Sequence, residues 1–243
     1  MSSESTRPLA VITGGSRGLG FEVAKALTLQ GFDIALIAKD AQRLEEAAAQ
    51  LRAGAAHIST FACDLEQPHL VRELIDSLTQ SLPTPTTLVL AHGVMSAKMS
   101  KTLKTDDAEW RRVMAINLDS VFQLVNGIAP AMADARNGRV IIFSACLGRM
   151  SGPGNAGGLA PYRISKAGVN ALVRNLAHET GLGARGFLVD AICPNHSRTD
   201  MGGPDAPRSA EEGAATAIWL ATREFNPGDT TGVLWEDQQV VPW

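Results

Sequence analysis

The segment Thr13-Gly14-Gly15-Ser16-Arg17-Gly18-Leu19-Gly20 constrains this chain more than any other. It stands between a short apolar run, residues 9–13, and a helical pattern, residues 21–29. Glycines at 14, 18 and 20 permit a tight turn that lets the backbone come close to another group. The helix that follows presents unpaired N–H groups and a partial positive charge at its start. Strand, glycine turn and helix in that order suit a pyrophosphate. Because loops commonly contain glycine, the inference rests on the placement between strand and helix rather than on the glycines alone.

The rest of the chain keeps the same alternation. Residues 34–38, 57–63, 87–91, 139–144, 186–193 and 232–235 read as further strands. Residues 41–51, 70–82, 106–128, 162–182 and 211–222 read as helices, with Gly31, Gly54 and Pro83 as stops and Asp106 or Thr105 as a cap. Seven strands alternating with helices predict an α/β fold: a Rossmann-type, doubly wound parallel sheet with helices on both faces. No internal repeat or linker divides the 243 residues, so a single domain over 1–243 is expected. Two Gly/Pro-rich stretches, 151–161 and 194–207, follow strands. Ligands of such sheets sit beyond the carboxyl ends of strands, so both are candidate substrate walls.

Charge and cysteine usage exclude several function classes. The net charge is −3, from 22 basic and 25 acidic residues, which gives no electrostatic reason to expect nucleic acid or an anionic membrane. No run approaches the roughly 20 apolar residues that span a bilayer, and residues 1–7 lack an apolar signal core. Cys63, Cys146 and Cys193 are odd in number and far apart in sequence, with neither a disulfide framework nor metal-ligand spacing. The expectation is a cytoplasmic protein without a metal.

The catalytic candidates lie downstream. In Tyr162-Arg163-Ile164-Ser165-Lys166 the phenol and the ammonium are one helical turn apart and share a face. A free tyrosine titrates near 10, and a fixed cation beside it favours the phenolate. The chain has one tyrosine, and it stands here. Ser144 closes a strand, where its hydroxyl can face a ligand or cap a turn. Asn117 falls inside a helical pattern it suits poorly; it reads either as a functional break or as an exposed polar residue.

The TGxxxGxG spacing of the loop, the YxxxK motif and the strand-ending serine resemble the short-chain dehydrogenase/reductase family over nearly the whole length. Tyr162 to Lys166, Thr199-Asp200-Met201-Gly202-Gly203 and Trp243 look most like bacterial carbonyl-reductase-like members. The resemblance implies reduction of a ketone or aldehyde to an alcohol. Tyr162 gives the proton, Ser144 polarises the carbonyl oxygen, Lys166 tunes the phenol and binds a ribose, and Asn117 breaks its helix to complete a water relay. It also implies a dinucleotide held by Gly14, Ser16, Arg17, Gly18, Leu19, Gly20, Gly93 and Pro194. Asp64 and Leu65 would contact the adenine, and Thr199 the nicotinamide amide. Ala38 stands where NAD-dependent relatives carry Asp, while Lys39 and Arg17 are cations suited to a 2′-phosphate, so NADPH is expected. Asp40 argues for NAD. An NAD-dependent alcohol dehydrogenase and an inactive nucleotide-binding regulator are the alternatives. Assembly as a homodimer or homotetramer is implied.

The chain departs from that family at three places. Leu90-Ala91-His92-Gly93 replaces Asn-Asn-Ala-Gly, so two asparagines are missing and His92 is new. The turn after the sixth strand is Pro194-Asn195, where Asn tolerates a left-handed backbone. The stretch from Ser144 to Tyr162 is longer, rich in glycine, and suits a flap. Substrate walls are expected near Met95, Arg149, Met150, His196 and Met201.

Overall fold

The computed structural model describes residues 7–52, 56–97, 101–226 and 228–243. Gly54, the expected stop of the second helix, and the first six residues of the polar N-terminus lie outside the described residues. Eight strands form one sheet among the described residues: β1 (Leu9–Thr13), β2 (Asp33–Ala38), β3 (Ile58–Ala62), β4 (Thr87–Leu90), β5 (Gly138–Phe143), β6 (Phe187–Ile192), β7 (Leu234–Glu236) and β8 (Gln239–Val241). Their spatial order is β3-β2-β1-β4-β5-β6-β7-β8. Every neighbouring pair is parallel except β7 and β8. The order reverses direction between β1 and β4, which opens a crevice beyond their carboxyl ends.

The eighth strand extends the expected seven. Asp237 and Gln238 both take positive φ, 51° and 60°, which folds the chain into a two-residue hairpin. Neither residue is the glycine or asparagine that normally announces such a turn, so the hairpin leaves little trace in the sequence.

Helices α1 (Gly18–Leu29), α2 (Ala41–Leu51) and α7 (Ala210–Thr222) cover one face of the sheet, and α3 (Pro68–Ser81), α5 (Ser120–Asp134) and α6 (Ala160–Glu179) the other. Side-chain alternation divides each strand between the two cores. Ala10 and Ile12 of β1 face the first set, and Leu9 and Val11 the second. The inner strands β1, β4 and β6 are buried throughout, as continuous apolar runs between two helical layers should be.

The long helix expected over 106–128 is broken. Asp106 caps α4 (Asp107–Met114) by accepting from the Glu109 N–H at 2.8 Å. A π-helical turn, Ala115–Asp119, then leads into α5. Asn117 sits at its centre, fully buried, so the bulge follows the one polar residue that faces inward.

Candidate active site

The crevice between β1 and β4 is a cleft of about 770 Å³. The glycine loop forms its floor. Gly14 has φ +67°, and a Cβ there would lie 3.1 Å from the backbones of Ala91 and His92, so only glycine lets the ends of β1 and β4 come this close. Gly20 lies against the Gly14 carbonyl and seats α1 directly on the loop. Arg17 is the N-cap of α1 but makes no side-chain capping bond, so the first-turn N–H groups stay available to an anion. A cradle that a Cβ would fill, closed by an uncapped helix start, fits a dinucleotide pyrophosphate.

The far end of the cleft is lined by Ser16, Arg17, Leu19, Lys39, Asp64 and Leu65. The cations are paired there. Lys39 meets Asp64 at 2.7 Å, and Arg17 meets Asp200 across the mouth of the cleft. The Lys39 hydrogen bond holds the Asp64 carboxyl below the usual range in spite of partial burial, which acts the other way. Asp40, the residue that argued for NAD, is committed elsewhere: its carboxylate caps α2 by accepting from the Arg43 N–H at 3.0 Å. A shallow depression beside the cleft gathers Ser16, Arg17 and Arg43, a third cation that sequence reasoning missed.

At the inner end, Tyr162 and Lys166 share one wall with Gly93, Ser144, Pro194 and Thr199. The Lys166 ammonium lies 5.9 Å from the Tyr162 ring centroid and donates to the Phe143 carbonyl at 2.7 Å. Burial lowers its pKa to about 8. Tyr162 departs from expectation. Burial, reinforced by the Cys193 and Cys146 thiols, pushes its phenol above the ordinary value, and the lysine does not overcome that. Desolvation of an almost closed ring is the larger effect, so the phenol stays protonated.

Asn117 anchors the wall without touching Lys166. Its amide donates to the Val94 carbonyl (2.9 Å) and to the Ser165 hydroxyl (3.1 Å), and its oxygen accepts from the Val94 N–H (2.8 Å). Ser165 in turn donates to the Tyr162 carbonyl at 2.7 Å, and the Ser96 hydroxyl accepts from the Tyr162 N–H at 2.9 Å. Ser165 and Ser96 were missed by sequence reasoning because nothing in their spacing shows what they meet.

These elements match known proteins. The family model for short chain dehydrogenase matches residues 8–209. The chain belongs to the short-chain dehydrogenase family. A 3-oxoacyl-(acyl-carrier-protein) reductase of Pseudomonas aeruginosa is 31% identical over 204 residues, covering 83% of this chain and 79% of that protein. Carbonyl reductase (NADPH) 1 of Mus musculus is 27% identical over 280 residues, covering 98% and 99%. A solved short chain dehydrogenase/reductase family protein superposes with a TM-score of 0.77 at 26% identity, covering 88% of this chain and 89% of the other. This is therefore an oxidoreductase family whose relatives include ketoreductases.

Within this short-chain dehydrogenase, the departures noted in the sequence acquire structural explanations. His92 fills a buried polar gap between β1 and α5. Ser120 donates to the Ile116 carbonyl at 2.7 Å, so its oxygen accepts from His92 Nε2 at 2.9 Å, and His92 Nδ1 accepts from the Thr13 hydroxyl at 2.6 Å. Burial, with the Lys166 charge, lowers the imidazole pKa to about 3, so the ring is neutral. Asn195 adopts φ 57°, the left-handed backbone that the turn needs.

Several expected contacts are corrected. The Ser144 hydroxyl, on the cleft lining with Tyr162, donates to Asn170 Oδ1 and lies 3.3 Å from the Lys166 carbonyl. Arg149 turns to Glu236 as an ion pair at 3.8 Å, and His196 Nε2 lies 2.7 Å from the Gly202 carbonyl, and both residues lie off the cleft lining. Met150 is exposed and also lies off the lining. Met201 lines the cleft, with Val94, Arg198 and Asp200. No cluster of candidate metal ligands occurs among the described residues, and no helix among them is long and apolar enough to cross a membrane.

Proposed function

We propose that this short-chain dehydrogenase reduces a ketone or aldehyde to an alcohol with NADPH, using Tyr162 as the proton donor. One observation carries the reading: a buried phenol and a buried ammonium share the inner wall of the cleft whose floor is the glycine loop. When bound, the reduced nicotinamide supplies the hydride. Gly14, Gly18 and the start of α1 hold the pyrophosphate, and Gly93, Pro194 and Thr199 border the nicotinamide end. Lys166 holds the ribose and balances charge beside the phenol. Tyr162, kept protonated by burial, passes its proton to the carbonyl oxygen. Water is excluded by the same packing that buries both groups.

Arg17 and Lys39 line the end of the cleft where a 2′-phosphate would lie, Arg43 shares the adjoining depression with Arg17, and the strand tip carries Ala38 rather than an acid. That supports NADPH over NADH. The mouse relative's name carries the same cofactor. Asn117 positions the wall through Val94 and Ser165. Ser144 takes no part in this reading while Asn170 holds its hydroxyl. We further infer that the whole chain works as one unit, since the glycine loop and Tyr162 extend from strands and helices of one sheet.

The test is NADPH oxidation with a panel of ketones and aldehydes, for wild type and Tyr162→Phe. We expect turnover to fall about 10²–10⁴-fold in the variant, with NADPH affinity nearly unchanged. Equal rates would remove Tyr162 from the chemistry. NADPH binding without turnover of any carbonyl or alcohol would favour the regulator.

A further inference from the structure

Cys146 and Cys193 are far apart in the sequence, yet the sheet brings them together. β5 and β6 pair as far as Phe143 and Ile192, and the Ser144 N–H extends the ladder to the Ile192 carbonyl at 2.8 Å. Cys193 follows at once. The chain leaving β5 turns at Cys146–Gly148, and the two cysteines pack into the same core cluster on one face of the sheet, near enough for their thiols to act on each other. Cys193 is buried and Cys146 half-buried. Both lie close enough to Tyr162 for their charge to act on the phenol. Each is joined to a cleft-forming element: Cys193 precedes Pro194, which lines the cleft, and Cys146 opens the turn whose Gly148 packs on the backbone of Lys166.

We propose that Cys146 and Cys193 form a reversible disulfide at the wall of the active site, driven by hydrogen peroxide, and that it shuts the enzyme down. Cys146 is the sulfur that reacts first. Cys193, the Leu147 N–H and the Arg149 charge hold its thiol below the ordinary range, against the pull of burial and the Glu236 carboxylate. Cys193 is pushed the other way, chiefly by the same sulfur contact and by burial. The Cys146 thiolate attacks one oxygen of hydrogen peroxide, the O–O bond breaks, and sulfenic acid forms while the leaving hydroxide takes up the proton the thiol had released, giving water. The Cys193 sulfur then attacks the Cys146 sulfur, the S–O bond breaks, and the hydroxyl leaves as water with the Cys193 proton. Two thiols and one peroxide become one disulfide and two waters. A dithiol reductant reverses it by exchange.

An S–S bond of about 2.05 Å is far shorter than any contact between two separate thiols, so closing it pulls the ends of β5 and β6 together. Tyr162, Lys166 and Pro194 border that junction and lose their alignment. Cys63 lies at the far end of the cleft beside Asp64 and has no role in this step.

The test treats the reduced full-length protein with hydrogen peroxide and reads free thiols, intact mass and disulfide-linked peptides. We expect two of the three thiols to disappear, the mass to fall by about 2 Da, and one linked peptide to join Cys146 to Cys193. Cys63→Ser should still form the link; Cys146→Ser and Cys193→Ser should not. Carbonyl reduction should fall at least about tenfold and return with dithiothreitol. Sulfinic acid on Cys146 with Cys193 still reduced, a link through Cys63, or unchanged thiols would overturn the disulfide. A link that forms without loss of rate would overturn the switch. Mass and thiol count need no substrate, so a failure of the reductase reading is visible separately, as absent turnover in the reduced protein.

Discussion

The two ends of the cleft handle charge in opposite ways. At the nucleotide end, cations and carboxylates pair in the open: the Arg17 and Asp200 side chains are 52% and 69% exposed, and Lys39 is 70% exposed. At the catalytic end, Tyr162 and Lys166 are almost closed to solvent, and burial moves both away from their ordinary titration. Exposed pairs contribute little to stability and exchange partners cheaply, so an arriving phosphate can take Arg17 and Lys39 from their carboxylates. The buried end cannot rearrange at that cost. It is organised before any ligand arrives, and the protein bears the expense of a charged lysine with no carboxylate beside it. Binding is left adjustable, while the chemistry is set in advance.

The largest effect that would sharpen this contrast comes from Lys166→Met. Under the proposed function its kcat/KM should fall about 10²–10⁴-fold, while the fold gains stability at pH 7. The sign follows from the lowered pKa. Below pH 8 the lysine is charged in both states, and the folded state bears the full cost, about 1–3 kcal/mol once the lost Phe143 bond is set against it. Between about 8 and 10.5 the folded state sheds its proton first, and that cost fades. Thermal melts from pH 6 to 11 should show the gap between variant and wild type closing over that window; a constant gap would break the comparison.

Lys39→Asp comes next. It should lower NADPH preference over NADH by about 10–100-fold, read as the ratio of dissociation constants, since a charge-assisted phosphate contact of about 1.5–3 kcal/mol is lost. Ser144→Ala is a smaller test. With the hydroxyl bound to Asn170, kcat should fall less than about tenfold, and stability should drop by about 1–3 kcal/mol because a buried acceptor loses its donor. A loss of about 10²–10³ in kcat would return Ser144 to the carbonyl oxygen. Smallest of all, Asp200→Asn should change stability by less than about 1 kcal/mol and tighten NADPH modestly, with the gain fading in salt.

The sequence alone determined the alternation of strands and helices, the glycine loop and the Tyr162–Lys166 pair, because each is written in neighbouring residues: a period of two, a period of 3.6, a glycine where the backbone must turn. Its resemblance to the family also pointed to Asn117 as a helix breaker. Only the tertiary structure decided which polar atoms meet. It gave Asp64 to Lys39, His92 to Thr13 and Ser120, Ser144 to Asn170, and Cys146 to Cys193. Those pairings join residues distant in the chain, and burial sets their charge. Neither sequence distance nor residue type encodes how far water is kept from a given atom.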